Sequence, residues 1–173
     1  MFPYPFILLL LYNNQMNNTD YKIEPVKVDY LECIYGFLSF RITVGDKSEE
    51  FNFSDVFDPI DKFIAWLESV CTDVLECRFW FDEEGREIRF TYKCWDYYSD
   101  KKIFTVAEDY ENGKIFLKGY INRHNLVQQF YVGLKTFISQ YNFKEDSWGE
   151  GVNHLEIHSD IIEKFLNEKG QAV

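Results

Sequence analysis

Histidine and cysteine are both scarce in this 173-residue chain, at three and four residues. Cys33, Cys71, Cys77 and Cys94 nowhere form the close C-x-x-C pair that zinc or dithiol chemistry uses. Each lies in an apolar stretch, where a thiol behaves as a small hydrophobe, so reduced thiols and a cytoplasmic location are expected. The nine glycines are scattered, and neither G-x-G-x-x-G nor G-x-x-x-x-G-K-[ST] occurs to cradle a phosphate. A G-x-S-x-G nucleophile elbow is missing too. With four prolines, no Pro/Gly/Ser tract and no repeat, no linker is visible, and residues 21–173 read as one domain. Positive charge is in deficit: 18 Lys+Arg against 29 Asp+Glu leave a net charge of −11. That balance argues against a protein that grips nucleic-acid phosphates. It favours a basic or polar protein partner, or simply solubility.

Long apolar runs are limited to Phe2–Tyr12. A membrane helix needs about 20 apolar residues, so no membrane role is expected. No Lys or Arg precedes Lys22 to supply the basic segment of a secretory signal. Translation from Met16, an unusual signal and a native tail all stand as readings. The first is preferred, and residues 1–20 are taken as a non-core tail.

Aromatic residues are what the chain has in excess. Seventeen Phe, twelve Tyr and four Trp make up 19% of it, too much apolar area to stay solvated, so intrinsic disorder is excluded. Tyr30–Val44 predicts a long strand, with Ile34, Leu38, Phe40, Ile42 and Val44 on one parity. Gly45-Asp46-Lys47 turns the chain into a second strand, Glu49–Phe53. Asp58 is the expected cap of a helix whose first residue is Pro59, with Ile60, Phe63, Ile64, Leu67 and Cys71 as its stripe. Leu75, Cys77, Phe79 and Phe81 alternate up to Asp82-Glu83-Glu84-Gly85, and Ile88, Phe90, Tyr92 and Cys94 alternate on the way back. A turn at Glu84-Gly85 sets Phe81 opposite Ile88 and Phe79 opposite Phe90. After a break at Ser99–Lys101, Asn112-Gly113 predicts a two-residue hairpin, with Glu111 opposite Lys114 and Tyr110 opposite Ile115.

A second helix starts near Asn122 or Asn125 and buries Leu126, Phe130, Leu134, Phe137, Ile138 and Tyr141. A short terminal helix opens on Asp160–Glu163, a capping-box variant. The expected fold is α+β in the order β-β-α-β-β-β-β-α. It has one antiparallel meander of about six strands, two amphipathic helices on one face and a short C-terminal helix.

Few residues invite chemistry. His154, Glu156 and His158 share a parity in extended chain and form the one metal-like set, as two imidazoles and a carboxylate. A polar strand edge is the competing account, and no metal or cofactor is expected. Acids gather at turns, where solvation is the rule: Asp82-Glu83-Glu84, Glu108-Asp109-Glu111 and Glu145-Asp146 with Glu150. Glu108 differs because it shares a parity with Phe104 and Val106, and Lys93 is its expected cross-strand partner. Trp80, Trp95 and Tyr97 lie on the parity opposite the core set. Either both faces of the sheet are covered, or one carries exposed aromatics ringed by acids. Trp80, Trp95, Tyr97, Glu108, Asp82, Glu83 and Glu84 are therefore the candidate partner-binding residues.

The helix D-P-I-x-x-F-I-x-W-L-E (Asp58–Glu68) after two strands, with F-W-F-D-E-E-G (Phe79–Gly85) turning into more, resembles small acidic uncharacterised bacterial domains. Some of these are immunity proteins of toxin systems. The resemblance covers about residues 30–140 and transfers no site residue. It implies a non-catalytic intracellular module that occludes a partner protein through an acidic, aromatic sheet face. The alternative expectation is a small enzyme or ligand-binding domain with a cavity between sheet and helices. Oligomeric state stays open.

Overall fold

The computed structural model describes residues 21–72, 74–95, 101–140 and 157–170. Within them run β1 (Ile23–Glu24), β2 (Val26–Ile34), β3 (Phe37–Val44), β4 (Lys47–Ser54), α1 (Ile60–Cys71), β5 (Glu76–Asp82), β6 (Glu87–Cys94), β7 (Lys102–Glu108), β8 (Ile115–Ile121), α2 (Arg123–Gln140) and α3 (Asp160–Gly170). The class is α+β, as expected. The single six-stranded meander is not what forms. The strands divide into a five-stranded sheet, β1-β8-β7-β6-β5, and a three-stranded sheet, β2-β3-β4. The larger sheet is mixed, because β1 runs parallel to β8.

The stretch expected as one long strand is a hairpin. Tyr35 and Gly36 take φ of 51° and 80°, the two positive angles of a type I′ turn, and Ile34 pairs with Phe37 across them. A register shift between Tyr30 and Glu32 moves the inward position from Val26 and Val28 to Cys33, and this parity slip hides the reversal. Ile34, expected inward, is exposed. Gly36 suits this position through its backbone, with φ of 80°, and a Cβ there would also have to displace the Asp55 carboxylate.

Other turns divide. Val44 pairs with Lys47 around Gly45-Asp46, and Phe81–Ile88 and Phe79–Phe90 pair as expected. Asn112-Gly113 does not close a two-residue turn. Ala107 opposes Ile115 after a shift at Val106/Ala107, and the Glu108 N–H donates to Lys114 O at 3.0 Å. The shift lets both Phe116 and Leu117 turn inward, and Lys114 and Arg86 lie over the Phe116 ring. In the β6–β7 ladder Glu108 faces Ile88, and Lys93 faces Ile103 instead.

Helix starts also depart from expectation. Asp58 has φ 31° and caps nothing; α1 begins without a side-chain cap, and the Pro59 carbonyl accepts Phe63 N–H at 2.8 Å. Asn122 does cap α2, its Oδ1 accepting Asn125 N–H at 2.9 Å. In α3 the cap is Ser159, whose Oγ accepts Ile162 N–H at 3.3 Å. The Glu163 carboxylate is engaged by Tyr131 and Lys135, so it cannot close a capping box.

One face of the large sheet is covered jointly by the small sheet and by α1 and α2. Phe90 is the meeting point: its ring centroid lies 5.4–6.1 Å from those of Phe51, Trp66, Phe79, Phe81, Phe104 and Phe130. The sheets close up beside Gly119, where a Cβ would come within 2.8 Å of Val44 Cγ1. The edge of β2 is sealed by α2, with Val26 N–H donating to Asn125 Oδ1 at 2.9 Å and Val28 N–H to Gln129 Oε1 at 3.3 Å. On β4 the Asn52 N–H donates to the Glu83 carboxylate. No described helix is long and apolar enough to cross a membrane.

Candidate functional site

Alternation along a strand sends every second side chain to the other face. On the face of the large sheet turned away from α1, α2 and the small sheet, the register builds cross-strand rows. One row runs Trp80, Arg89, Ala107, Ile115; the next, Arg78, Thr91, Thr105, Lys118; a third, Glu76, Lys93, Ile103, Tyr120, Ile23. Trp95 follows at the end of β6. Trp80 is 58% exposed and Trp95 71%, values that a covered face would not allow. The helices thus take the other face, and among the described residues nothing covers this one.

Its charge is not that of the chain. Arg78, Arg89, Lys93 and Lys118 stand in the middle rows with Glu76 as their one acid. Arg78 and Lys93 both reach Glu76, Lys93 Nζ at 3.1 Å, and these two hydrogen bonds hold the Glu76 carboxyl below the usual carboxylate range. Arg89 pairs with Asp109. Asp82, Glu87 and Asp109 gather at the hairpin end of the face.

The expected acids mostly serve their own turns. Asp82 lies at the margin of the open face and accepts Gly85 N–H at 2.6 Å. Glu83 turns inward with its side chain only 6% exposed, holding Asn52 N–H and Arg86. Glu84 accepts the Ser54 hydroxyl at 3.4 Å. Glu108 is on the opposite parity and ties its loop by accepting Tyr110 O–H and, at 3.0 Å, Lys114 N–H. These bonds, Tyr110 first, pull its carboxyl below the ordinary value. Trp80, Trp95 and Asp82 thus share a face, while Glu83, Glu84 and Glu108 stand off it. Tyr97 lies outside the described residues. Of the cations, Arg78, Arg89 and Lys118 were not singled out from the sequence, and Lys93 was expected only as a partner for Glu108, not as part of this face. Their signal was the same alternation that located Trp80, applied to basic residues.

His154 and Glu156 lie outside the described residues. His158 has both ring nitrogens beside carboxylates, Asp160 at 3.0 Å and Glu163 at 3.2 Å. This cluster docks α3 on α2. Glu163 also takes Lys135 Nζ at 2.7 Å and the Tyr131 hydroxyl at 3.1 Å, and the Tyr131 oxygen in turn accepts the buried Ser159 N–H at 2.9 Å. The Ser159 hydroxyl donates to Glu68 of α1 at 2.7 Å. Asp160 and Glu163 raise the His158 pKa above its ordinary 6.5, while Lys135 and Tyr131 lower that of Glu163 below 4.5. A raised imidazole contributes stability fully below its unfolded value and loses it as pH climbs through the folded one. A lowered carboxyl contributes above its unfolded value and loses it as pH falls. The docking is therefore strongest between about pH 4.5 and 6.5. In thermal melts, the Tm gap between wild type and His158→Gln should peak in that window and close at higher pH. A gap independent of pH would refute the assignment.

The space between the sheet and the helices, where a ligand cavity is the alternative expectation, holds Phe63, Trp66, Phe79, Phe90, Phe104 and Phe130 in mutual ring contact. A groove of about 360 Å³ does run between α1 and β5, lined by Lys62, Ala65, Trp66, Ser69, Cys77 and Phe79 among others. Burial pushes the Cys77 thiol up to about 12, so it is not a ready nucleophile.

Comparison with protein-family models, with curated proteins and with solved structures found no match.

Proposed function

We propose that the chain is a non-catalytic, intracellular protein-binding module whose docking surface is the open face of the five-stranded sheet. The observation that carries this reading is the pair of exposed tryptophans on an uncovered sheet face. Trp and Tyr anchors supply most of the affinity in protein interfaces, because each buries a large area with little rotamer loss. Net charge of −11 first pointed to a basic partner, but local charge decides a contact. With Arg78, Lys93 and Lys118 between the tryptophans, the matching surface is polar, offering carboxylates to the cations and pockets to Trp80 and Trp95. An immunity-type role, in which the module covers the working surface of a toxin domain, is the specific form proposed from the resemblance at Asp58–Glu68 and Phe79–Gly85.

The test is capture of a partner from the native host, or of the product of the adjacent gene, by the wild type and by Trp80→Ala/Trp95→Ala. Each anchor removed is expected to weaken binding by about 2 kcal/mol, roughly 30-fold, with unchanged melting. Absence of any partner at low salt, or a partner held equally by the variant, would sink the proposal.

A further inference from the structure

The sheet edges of this protein are treated unequally. Side chains of α2 seal β2, Glu83 covers part of β4, and β1 is only two residues long. Among the described residues β5 has no such cover. Cys94 N–H donates to Leu75 O at 2.7 Å and Glu83 N–H to Arg86 O at 3.0 Å, so the odd-numbered residues of β5 face β6. In an antiparallel ladder the alternate residues then direct their N–H and C=O groups outward. These are Glu76, Arg78, Trp80 and Asp82, and among the described residues nothing bonds to those backbone groups. An edge of this length with its outward N–H and C=O groups left open is a template for another strand.

We propose that a second copy of the chain fills it, β5 against β5, antiparallel about a two-fold axis at Cys77. The segment Val74–Trp80 (V-L-E-C-R-F-W) is matched to its own reverse. About Cys77, Glu76 opposes the partner's Arg78, Leu75 opposes the partner's Phe79 and Val74 opposes the partner's Trp80. Each acid thus meets a base and each apolar residue an apolar one, as a two-fold interface demands. The pairs of even-numbered residues would exchange the free backbone hydrogen bonds. Neighbouring registers that keep these groups in step fail on charge: one sets Arg78 against Arg78, another Glu76 against Glu76, a third Glu76 against Asp82. The proposed register also accounts for an exposure that the single chain leaves open, Leu75 at 39%. Leu75 of the second copy would enter the groove between α1 and β5, where the small side chains of Ala65 and Ser69 leave room. Glu76 keeps Lys93 within its own chain while Arg78 turns to the partner. None of this depends on the open face being a docking surface.

Sedimentation equilibrium on the full chain, up to submillimolar concentration, tests the pairing. Twice the 20.8 kDa chain mass is expected for the wild type. Glu76→Arg and Arg78→Glu should each return the mass to that of one chain, and the combined reversal should restore the doubled mass. Arg78→Pro, which removes the outward N–H together with the guanidinium and leaves the ladder to β6 its N–H groups, should also give the single mass, with circular dichroism checking the fold in every case. Residues opposed across such an axis have Cα atoms about 4.5 Å apart, within disulfide reach. Because burial keeps the Cys77 thiol protonated, prolonged oxidation at alkaline pH should be needed to link copies through Cys77, and Cys77→Ser should abolish the link. Trp95→Ala, far from the edge, should keep the doubled mass whatever it does to partner capture. A single-chain mass at every concentration, a doubled mass indifferent to the charge reversals, or no rescue by the combined reversal would each overturn the proposal.

Discussion

Phe90→Ala is expected to destabilise the protein by about 3–5 kcal/mol, the usual cost of truncating a buried phenylalanine. Phe90 is fully buried and touches rings from both sheets, from α1 through Trp66 and from α2 through Phe130. The hole left by its side chain would be walled by elements held in three directions, so no single one can move to fill it. Domains are typically stable by about 5–15 kcal/mol, and a loss of this size takes a large share of that. Urea titration measures it. Ile115→Ala is the control, since Ile115 is exposed on the open face and its loss should stay within about 0.5 kcal/mol. Equal effects at the two positions would refute Phe90 as the centre of the core.

Removing the helix side chains that seal β2 is expected to be the second largest effect. Asn125→Leu with Gln129→Leu keeps size and helix propensity but withdraws both acceptors from the Val26 and Val28 N–H groups. An N–H left unpaired away from water costs about 1–3 kcal/mol. These two are partly buried, which places each towards the lower end. Denaturant titration should show the combined loss, and amide exchange should localise it to Val26 and Val28. The same variant should form soluble aggregates, because a second strand edge then lies open. Unchanged exchange at these two amides would show that water replaces the amide side chains without cost.

Local periodicity was enough to find much of this structure. The stripe of Ile60, Phe63 and Leu67 on α1 and the pairing of Phe79 with Phe90 follow from spacing of three, four and two residues, which neighbours along the chain enforce. Division into two sheets was not legible. Phe40, Phe51 and Phe53 have the alternation of Phe79, Phe81 and Phe90, and only their contacts across the core decide which strands share a ladder. Tyr35-Gly36 escaped notice because Tyr is an uncommon residue at positive φ, and the bulge near Tyr30 preserved a parity that the turn had broken. Trp80 and Trp95 were found by parity. Of the acids assigned to the same surface only Asp82 lies at its margin; Glu83, Glu84 and Glu108 stand off it, because turn carboxylates such as Glu83 and Glu108 are drawn to nearby backbone N–H groups. Net charge, being a sum over the chain, concealed a cationic patch within an acidic protein.

The parallel pairing of β1 with β8 has a kinetic consequence. β2-β3-β4 and β5 to β8 are each built from strands adjacent in sequence, so either group can assemble by closing short loops, the fast class of event. Ile23 must instead find Tyr120, with every other described strand lying between them in the chain. The two-residue ladder returns few hydrogen bonds for that long search. Docking of the first strand therefore belongs to the last stage of folding. On the way out, the same short ladder is the first to fray, and its amides should exchange well before those of β6.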